Sequence, residues 1–241
     1  MKTIGLIGGM SWESTAIYYR LINEHVRDRL GGLHSAEIFL RSLDFDAVVA
    51  LQRADRWDAA ADLLGNSARA LADAGADCVL ICTNTMHLVA DSVAQRVDVP
   101  LLNIIDETGR AVAAAGCRRP LLLATRYTME QGFYVKRMQA RHGVEALIPD
   151  GDDRALVHAV IFDELCRGIV REDSRRRLLE IVARGRAKGA DSVILGCTEI
   201  CLILDPAGLP CPAFDSTAIH ARSAVDFALA GSVRDDQATA A

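Results

Sequence analysis

Apolar runs of strand length, each closed by turn residues and followed by a longer segment of helical period, recur along this chain. They cover Thr3 to Ile7, Ala36 to Ser42, Cys78 to Ile81, Leu101 to Ile105, Pro120 to Ala124, Val144 to Leu147, Ser192 to Leu195 and Cys211 to Phe214. Strands of this near-continuous apolar kind, alternating with crossover helices, predict a parallel α/β architecture. Eight of them in 241 residues suit two small sheets better than one closed barrel, although the count alone leaves the barrel open. A final helix is predicted around Ile219 to Leu229. The segment 231–241 is small and polar with no apolar period, and reads as a disordered tail without function.

An internal repeat decides between the two architectures. Gly75-Ala76-Asp77-Cys78-Val79-Leu80-Ile81-Cys82-Thr83-Asn84-Thr85 lies over Gly189-Ala190-Asp191-Ser192-Val193-Ile194-Leu195-Gly196-Cys197-Thr198-Glu199 without a gap, at a constant offset of 114. Thr3 to Ser11 likewise matches Pro120 to Thr128, each a strand running into a polar turn. Pro100 then precedes Asp106 much as Pro210 precedes Asp215. Matches in the same order imply duplication, with 1–105 and 216–230 forming one α/β half and 106–215 the other. Two pseudo-twofold halves, each a mainly parallel sheet flanked by helices, are expected to face each other across a cleft holding the active site, because ligands bind beyond the carboxyl ends of parallel strands. Thr83 and Cys197 both fall at such ends.

Composition narrows the partners. A formal charge of -5, scattered basic residues and only 5% aromatics offer neither a phosphate-binding patch nor a base-stacking platform, which excludes nucleic acid. The apolar stretch Ile4 to Ile7 is too short for a signal peptide or membrane span. Seven cysteines are an odd number with no zinc-ligand spacing, so reduced thiols, no metal and a cytoplasmic location are expected.

The strand-end turns carry the candidate chemistry. Cys197 precedes Thr198-Glu199-Ile200-Cys201-Leu202, which can open a helix, and a thiol at a helix N-terminus is expected to ionise more easily than a free one. That suits a general base, whereas a plain buried cysteine is the alternative. At the partner position Thr83, the following Asn84 and Thr85 offer side chains and helix-start N–H groups to an anion such as a carboxylate, or serve only as caps. His87 suits packing or hydrogen bonding better than proton transfer. The Gly8-Gly9-Met10-Ser11 turn lacks a nucleotide fingerprint and reads either as a carboxylate or amine contact through Met10 N–H and Ser11, or as a simple tight turn.

Three motifs in order, Gly8-Gly9-Met10-Ser11-Trp12-Glu13-Ser14-Thr15, Cys82-Thr83-Asn84-Thr85-Met86-His87 and Gly196-Cys197-Thr198-Glu199, resemble the aspartate/glutamate racemase family. The resemblance implies a small-molecule amino-acid substrate, no pyridoxal phosphate or other cofactor, a homodimer, and two residues working on opposite faces of the α-carbon. Many relatives have cysteine in both motifs. Here Thr83 holds the first position and Cys82 is one place early, which resembles a threonine/cysteine subgroup acting on aspartate or glutamate. Gln52 matches a substrate contact of that subgroup, so the implied site is Cys197 and Thr83 for proton transfer, with Met10, Ser11, Gln52, Asn84, Thr85, Thr198 and Glu199 binding substrate. Where acidic-substrate relatives often have a lysine this chain has Cys166, leaving Arg167 or Arg53 to supply the charge. Other readings are a racemase of neutral amino acids, a related single-cysteine decarboxylase or maleate-type isomerase, and a binding protein that closes on an amino acid without inverting it.

Overall fold

The computed structural model describes residues 1–230, so the tail expected over 231–241 lies outside the described residues. The chain divides into two compact units. The first comprises Met1–Cys82, Val89–Leu102 and the chain from His220 onward, and the second Thr83–Leu88 and Asn103–Ile219.

In the first unit β1 (Ile4–Gly8), β2 (Ile38–Ser42), β3 (Cys78–Ile81) and β4 (Leu101–Leu102) form a sheet in the order β2-β1-β3-β4. Every pairing is parallel. The inner strands β1 and β3 are buried throughout, while the edge strand β2 is largely exposed, which explains why the inner runs are the more purely apolar. Helices α1 (Trp12–Leu30), α2 (Phe45–Arg53), α3 (Trp57–Asp73) and α4 (Ala90–Ala94) belong to this unit. Tyr18, Ile22 and Val26 recur every fourth residue of α1 and join Ile4, Leu6 and Leu80 in one core.

In the second unit β5 (Pro120–Leu123), β6 (Ser192–Leu195) and β7 (Ala213–Asp215) form a parallel sheet in that order. It is accompanied by α5 (Ile104–Ala114), α6 (Arg126–Glu130), α7 (Phe133–His142), α8 (Gly151–Ala159) and α9 (Glu172–Ala187). Helix α10 (Ser216–Leu229) starts in this unit and continues in the first. The core of the second unit draws Leu122, Leu123, Val193, Ile194 and Leu195 from the strands and Tyr134, Leu178 and Val182 from the helices.

Parallel sheets flanked by helices are the α/β fold that the hydrophobic pattern predicts. Two expected strands are cut back the most. Asn103 accepts a hydrogen bond from Ile105 N (2.9 Å) and caps α5, so the run Leu101 to Ile105 is a strand for only two residues. Of Val144 to Leu147 one parallel bridge survives, Leu147 to Leu121, and Pro149 just beyond has no N–H with which to extend it. The segment Thr83–Leu88, placed in the first half by the repeat, goes with the second unit. There Asn84 bonds Ser216, and Thr85 bonds Thr125 and Thr128. Among the described residues no helix is long and apolar enough to cross a membrane.

Candidate active site

Met10, Ser11 and Gln52 belong to the first unit and are all buried. Gly9 has φ +84, and a Cβ built on it would overlap the Leu43 backbone, so the turn between β1 and α1 requires glycine. Gly9 N donates to Thr15 Oγ1 (2.8 Å), and Ser11 Oγ accepts from Ser14 N (3.2 Å) as the cap of α1. The Ser11 side chain thus fixes the local turn. Gln52 lies near the end of α2 and its neighbour Arg53 is exposed, as expected for adjacent helical residues that face different ways.

Thr83 and Cys197 each sit two residues past the end of an inner strand, β3 and β6, and each is followed by a short 3-10 turn, Thr85–Val89 and Thr198–Leu202. Both are partly exposed, whereas their flanking residues Cys82, Asn84, Gly196 and Thr198 are buried. Cys82 is completely buried in the core of the first unit, and burial raises its thiol far above the usual range. Adjacent residues of an extended chain point to opposite sides. Cys82 is therefore closed off from the side on which Thr83 opens.

In the second unit hydrogen bonds tie these turns together. Asn84 Nδ2 donates to Ser216 Oγ (3.1 Å), which donates to the Leu195 carbonyl at the end of β6 (2.9 Å). The hydroxyls of Thr198 and Thr217 lie 2.9 Å apart. Thr85 Oγ1 is 2.8 Å from Thr125 Oγ1 and 3.2 Å from Thr128 Oγ1. Ser216, Thr217, Thr125 and Thr128 are not among the residues singled out from sequence. A signal for them exists, because both pairs fall in the polar stretch directly after a strand, where the repeat already placed Thr83 and Cys197.

His87 is buried. Its Nδ1 lies 2.8 Å from the Thr83 carbonyl oxygen and its Nε2 accepts from Ile104 N (3.1 Å). Since Nε2 is an acceptor, the ring is the neutral tautomer with its proton on Nδ1. Burial holds the imidazole down to about 4, with the Thr83 carbonyl working the other way. His87 fastens the backbone of Thr83.

Cys197 differs from expectation. Residues Thr198–Leu202 form a 3-10 turn of five residues, not an α-helix with a dipole to stabilise a thiolate. The Cys197 Sγ donates to Glu199 Oε2 (2.9 Å), and the Glu199 side chain is buried. Burial first, then the charge and hydrogen bond of Glu199, raise the thiol well above its ordinary value, and the nearby Cys166 adds to the effect. At rest this thiol is protonated, with an acceptor already in place.

Parallel α/β units with hydroxyl, amide, thiol and carboxylate groups gathered on strand-end turns define a small-molecule enzyme of the kind that moves protons. The chain belongs to the Asp/Glu/hydantoin racemase family, whose model matches residues 7–224. A Yersinia pestis structure, provisionally described as an Asp/Glu racemase, is 49% identical with a TM-score of 0.90, covering 95% of this chain and 100% of that one. An aspartate racemase homologue from Pyrococcus horikoshii OT3 is 33% identical with a TM-score of 0.83, covering 95% and 99%. The broad specificity amino-acid racemase RacX of Bacillus subtilis (strain 168) is 25% identical over 159 residues, 65% of this chain and 66% of that protein. The expectation of an isomerase of the amino-acid racemase type is borne out at the level of the family.

Proposed function

We propose that this protein interconverts the L and D forms of aspartate or glutamate without pyridoxal phosphate, with Cys197 and Thr83 as its proton-transfer groups. The observation that carries the reading is the Cys197 thiol seated on the buried Glu199 carboxylate, in a chain of this family. The protonated thiol holds a transferable proton, and it turns into a base when that proton passes to Glu199.

Removing an α-proton without an imine cofactor leaves charge that must spread onto the substrate carboxylate. The N–H groups of Met10, Asn84, Thr85, Thr198 and Glu199 and the side chains of Ser11 and Gln52 are the groups assigned to hold that substrate. Each preorganised donor is worth about 3 kcal/mol as charge develops. The Cys197 thiolate, formed as Glu199 takes its proton, removes the α-hydrogen from one face, and the Thr83 hydroxyl supplies a proton to the other. The threonine oxygen then recovers its proton from water, because His87 is engaged with backbone groups, and Glu199 releases to water the proton it took from the thiol, which resets the site. In the reverse direction Thr83 is the weak base, and equal free energies of the enantiomers hold kcat/KM equal both ways.

A second reading, racemisation of a broad set of neutral amino acids, is favoured by Arg167. Its side chain is 67% exposed and paired with Asp163, which leaves it poorly placed to read a side-chain carboxylate, and Arg53 is exposed as well. Seven free cysteines support a reducing cytoplasm. The homodimer rests on the family resemblance, and sedimentation checks it.

The test is incubation of both enantiomers of each common amino acid in D₂O with proton NMR. Exchange and inversion of aspartate or glutamate support the first reading, activity confined to neutral amino acids selects the second, and exchange of none refutes racemisation.

A further inference from the structure

Ser216 is fully buried at the first position of α10. The capping duty at a helix start falls to the residue before it, here Asp215. Its Oδ1 accepts from Thr217 N (2.8 Å) and Ala218 N (3.1 Å). The Ser216 hydroxyl has no part in the cap and makes two bonds of its own. Its proton goes to the Leu195 carbonyl (2.9 Å) and its oxygen accepts from Asn84 Nδ2 (3.1 Å).

A hydroxyl has a single proton, so the direction of both bonds is set. Leu195 is two residues before Cys197, and Asn84 directly follows Thr83. One buried oxygen therefore links the two turns that carry the proton-transfer groups, across 132 residues of sequence on the Asn84 side. The same contact orients the Asn84 amide: with Nδ2 turned to Ser216, Oδ1 is left buried without a hydrogen-bond partner. On the far side of Cys197, Thr217 holds Thr198 through its hydroxyl.

The geometry points to Ser216 as a positioning residue that sets the registration of the Thr83–Asn84 turn against the Leu195–Cys197 turn, and so couples proton removal on one face to proton return on the other. The inference rests on the racemase reading above. Exchange at the thiol face needs Cys197 and a bound substrate, whereas inversion needs both turns in place at once. Misplacement by about 1 Å costs such a concerted arrangement on the order of 10²-fold. Loss of the Ser216 hydroxyl is thus expected to lower inversion far more than exchange.

The experiment measures α-hydrogen exchange by proton NMR and inversion by chiral chromatography, in D₂O, on the full chain and on Ser216→Ala and Ser216→Thr. In Ser216→Ala the ratio of inversion to exchange falls by about 10-fold or more, and Ser216→Thr, which keeps a hydroxyl, restores much of it. An unchanged ratio in Ser216→Ala overturns the proposal, because a residue that merely stabilises the fold lowers both rates together. Should Ser216→Ala fail to fold, Ser216→Cys fills the site left by the hydroxyl while weakening both bonds, and its ratio is judged in the same way. A wild-type protein that exchanges no amino acid refutes the racemase reading itself, an outcome distinct from an active wild type with an unaltered variant ratio.

Discussion

The Nδ1 of His87 lies 2.8 Å from the carbonyl oxygen of Thr83, four residues earlier, while Nε2 of the same ring accepts from Ile104 N. A neutral imidazole bonded in this way carries no mobile proton at physiological pH, and its work is to fasten the turn that presents the Thr83 hydroxyl.

The depressed basicity of His87 makes stability depend on pH. Its ordinary value is 6.5 and in the fold it is about 4, so between these pH values the unfolded chain binds the proton and the folded chain does not. The stabilisation is complete above pH 6.5 and is lost as pH falls toward 4. At about 1.4 kcal/mol per unit the loss is about 3 kcal/mol. Urea unfolding at a series of pH values is expected to show this slope in the wild type, reduced in His87→Gln; parallel curves for the two proteins contradict it.

Replacement of Cys197 by Ala is expected to remove inversion and α-hydrogen exchange from that face, with the circular dichroism spectrum unchanged. Full racemase activity in this variant ends the assignment of Cys197.

Thr83→Ala addresses the other face. Exchange with retained configuration is expected, since Cys197 still removes and returns hydrogen on its own side. Thr83→Cys places a better acid and base at the same position and is expected to raise turnover. A loss of turnover there, with unchanged substrate affinity, argues that the hydroxyl is not the weak partner.

Glu199→Gln separates ionisation from turnover. Without the carboxylate beside Cys197 the thiol is expected to ionise at lower pH, because the neighbouring negative charge and its hydrogen bond both raise it. Racemisation nevertheless falls by about 10²-fold or more, as the acceptor for the thiol proton has gone. Thiolate absorbance against pH and steady-state kinetics read the two effects, and a thiol titration that does not move rejects this account.

Gly9→Ala tests the first turn. Both the positive φ and the nearby Leu43 backbone oppose a side chain, so a loss of about 1 to 3 kcal/mol is expected in denaturant titration.

The positions of Thr83 and Cys197 are legible in sequence because the repeat aligns strand ends, and strand ends are set by short apolar runs that tertiary packing leaves in place. The ionisation of Cys197 is not, because it depends on the turn after β6 being 3-10 rather than α-helical and on the second residue of that turn, Glu199, folding back to the thiol. Local pattern carries no information on such a contact. Nor does it show the bond of Ser216 to Asn84, which joins residues far apart in the chain. The short β4 and the single bridge at Leu147 have partial signals in the sequence, since Asn103 is a capping residue and Pro149 a strand terminator.

The path of the chain through its two units has a consequence for synthesis. The chain passes from one unit to the other after Cys82, after Leu88, after Leu102 and after Ile219. The core of the first unit includes Ala221, Ala224 and Val225, which follow the whole of the second unit in the chain. Although the first unit begins earlier in the chain, its interior is completed only after every residue of the second has been translated. A chain interrupted before α10 therefore yields neither unit whole, and truncation is not a route to separating them.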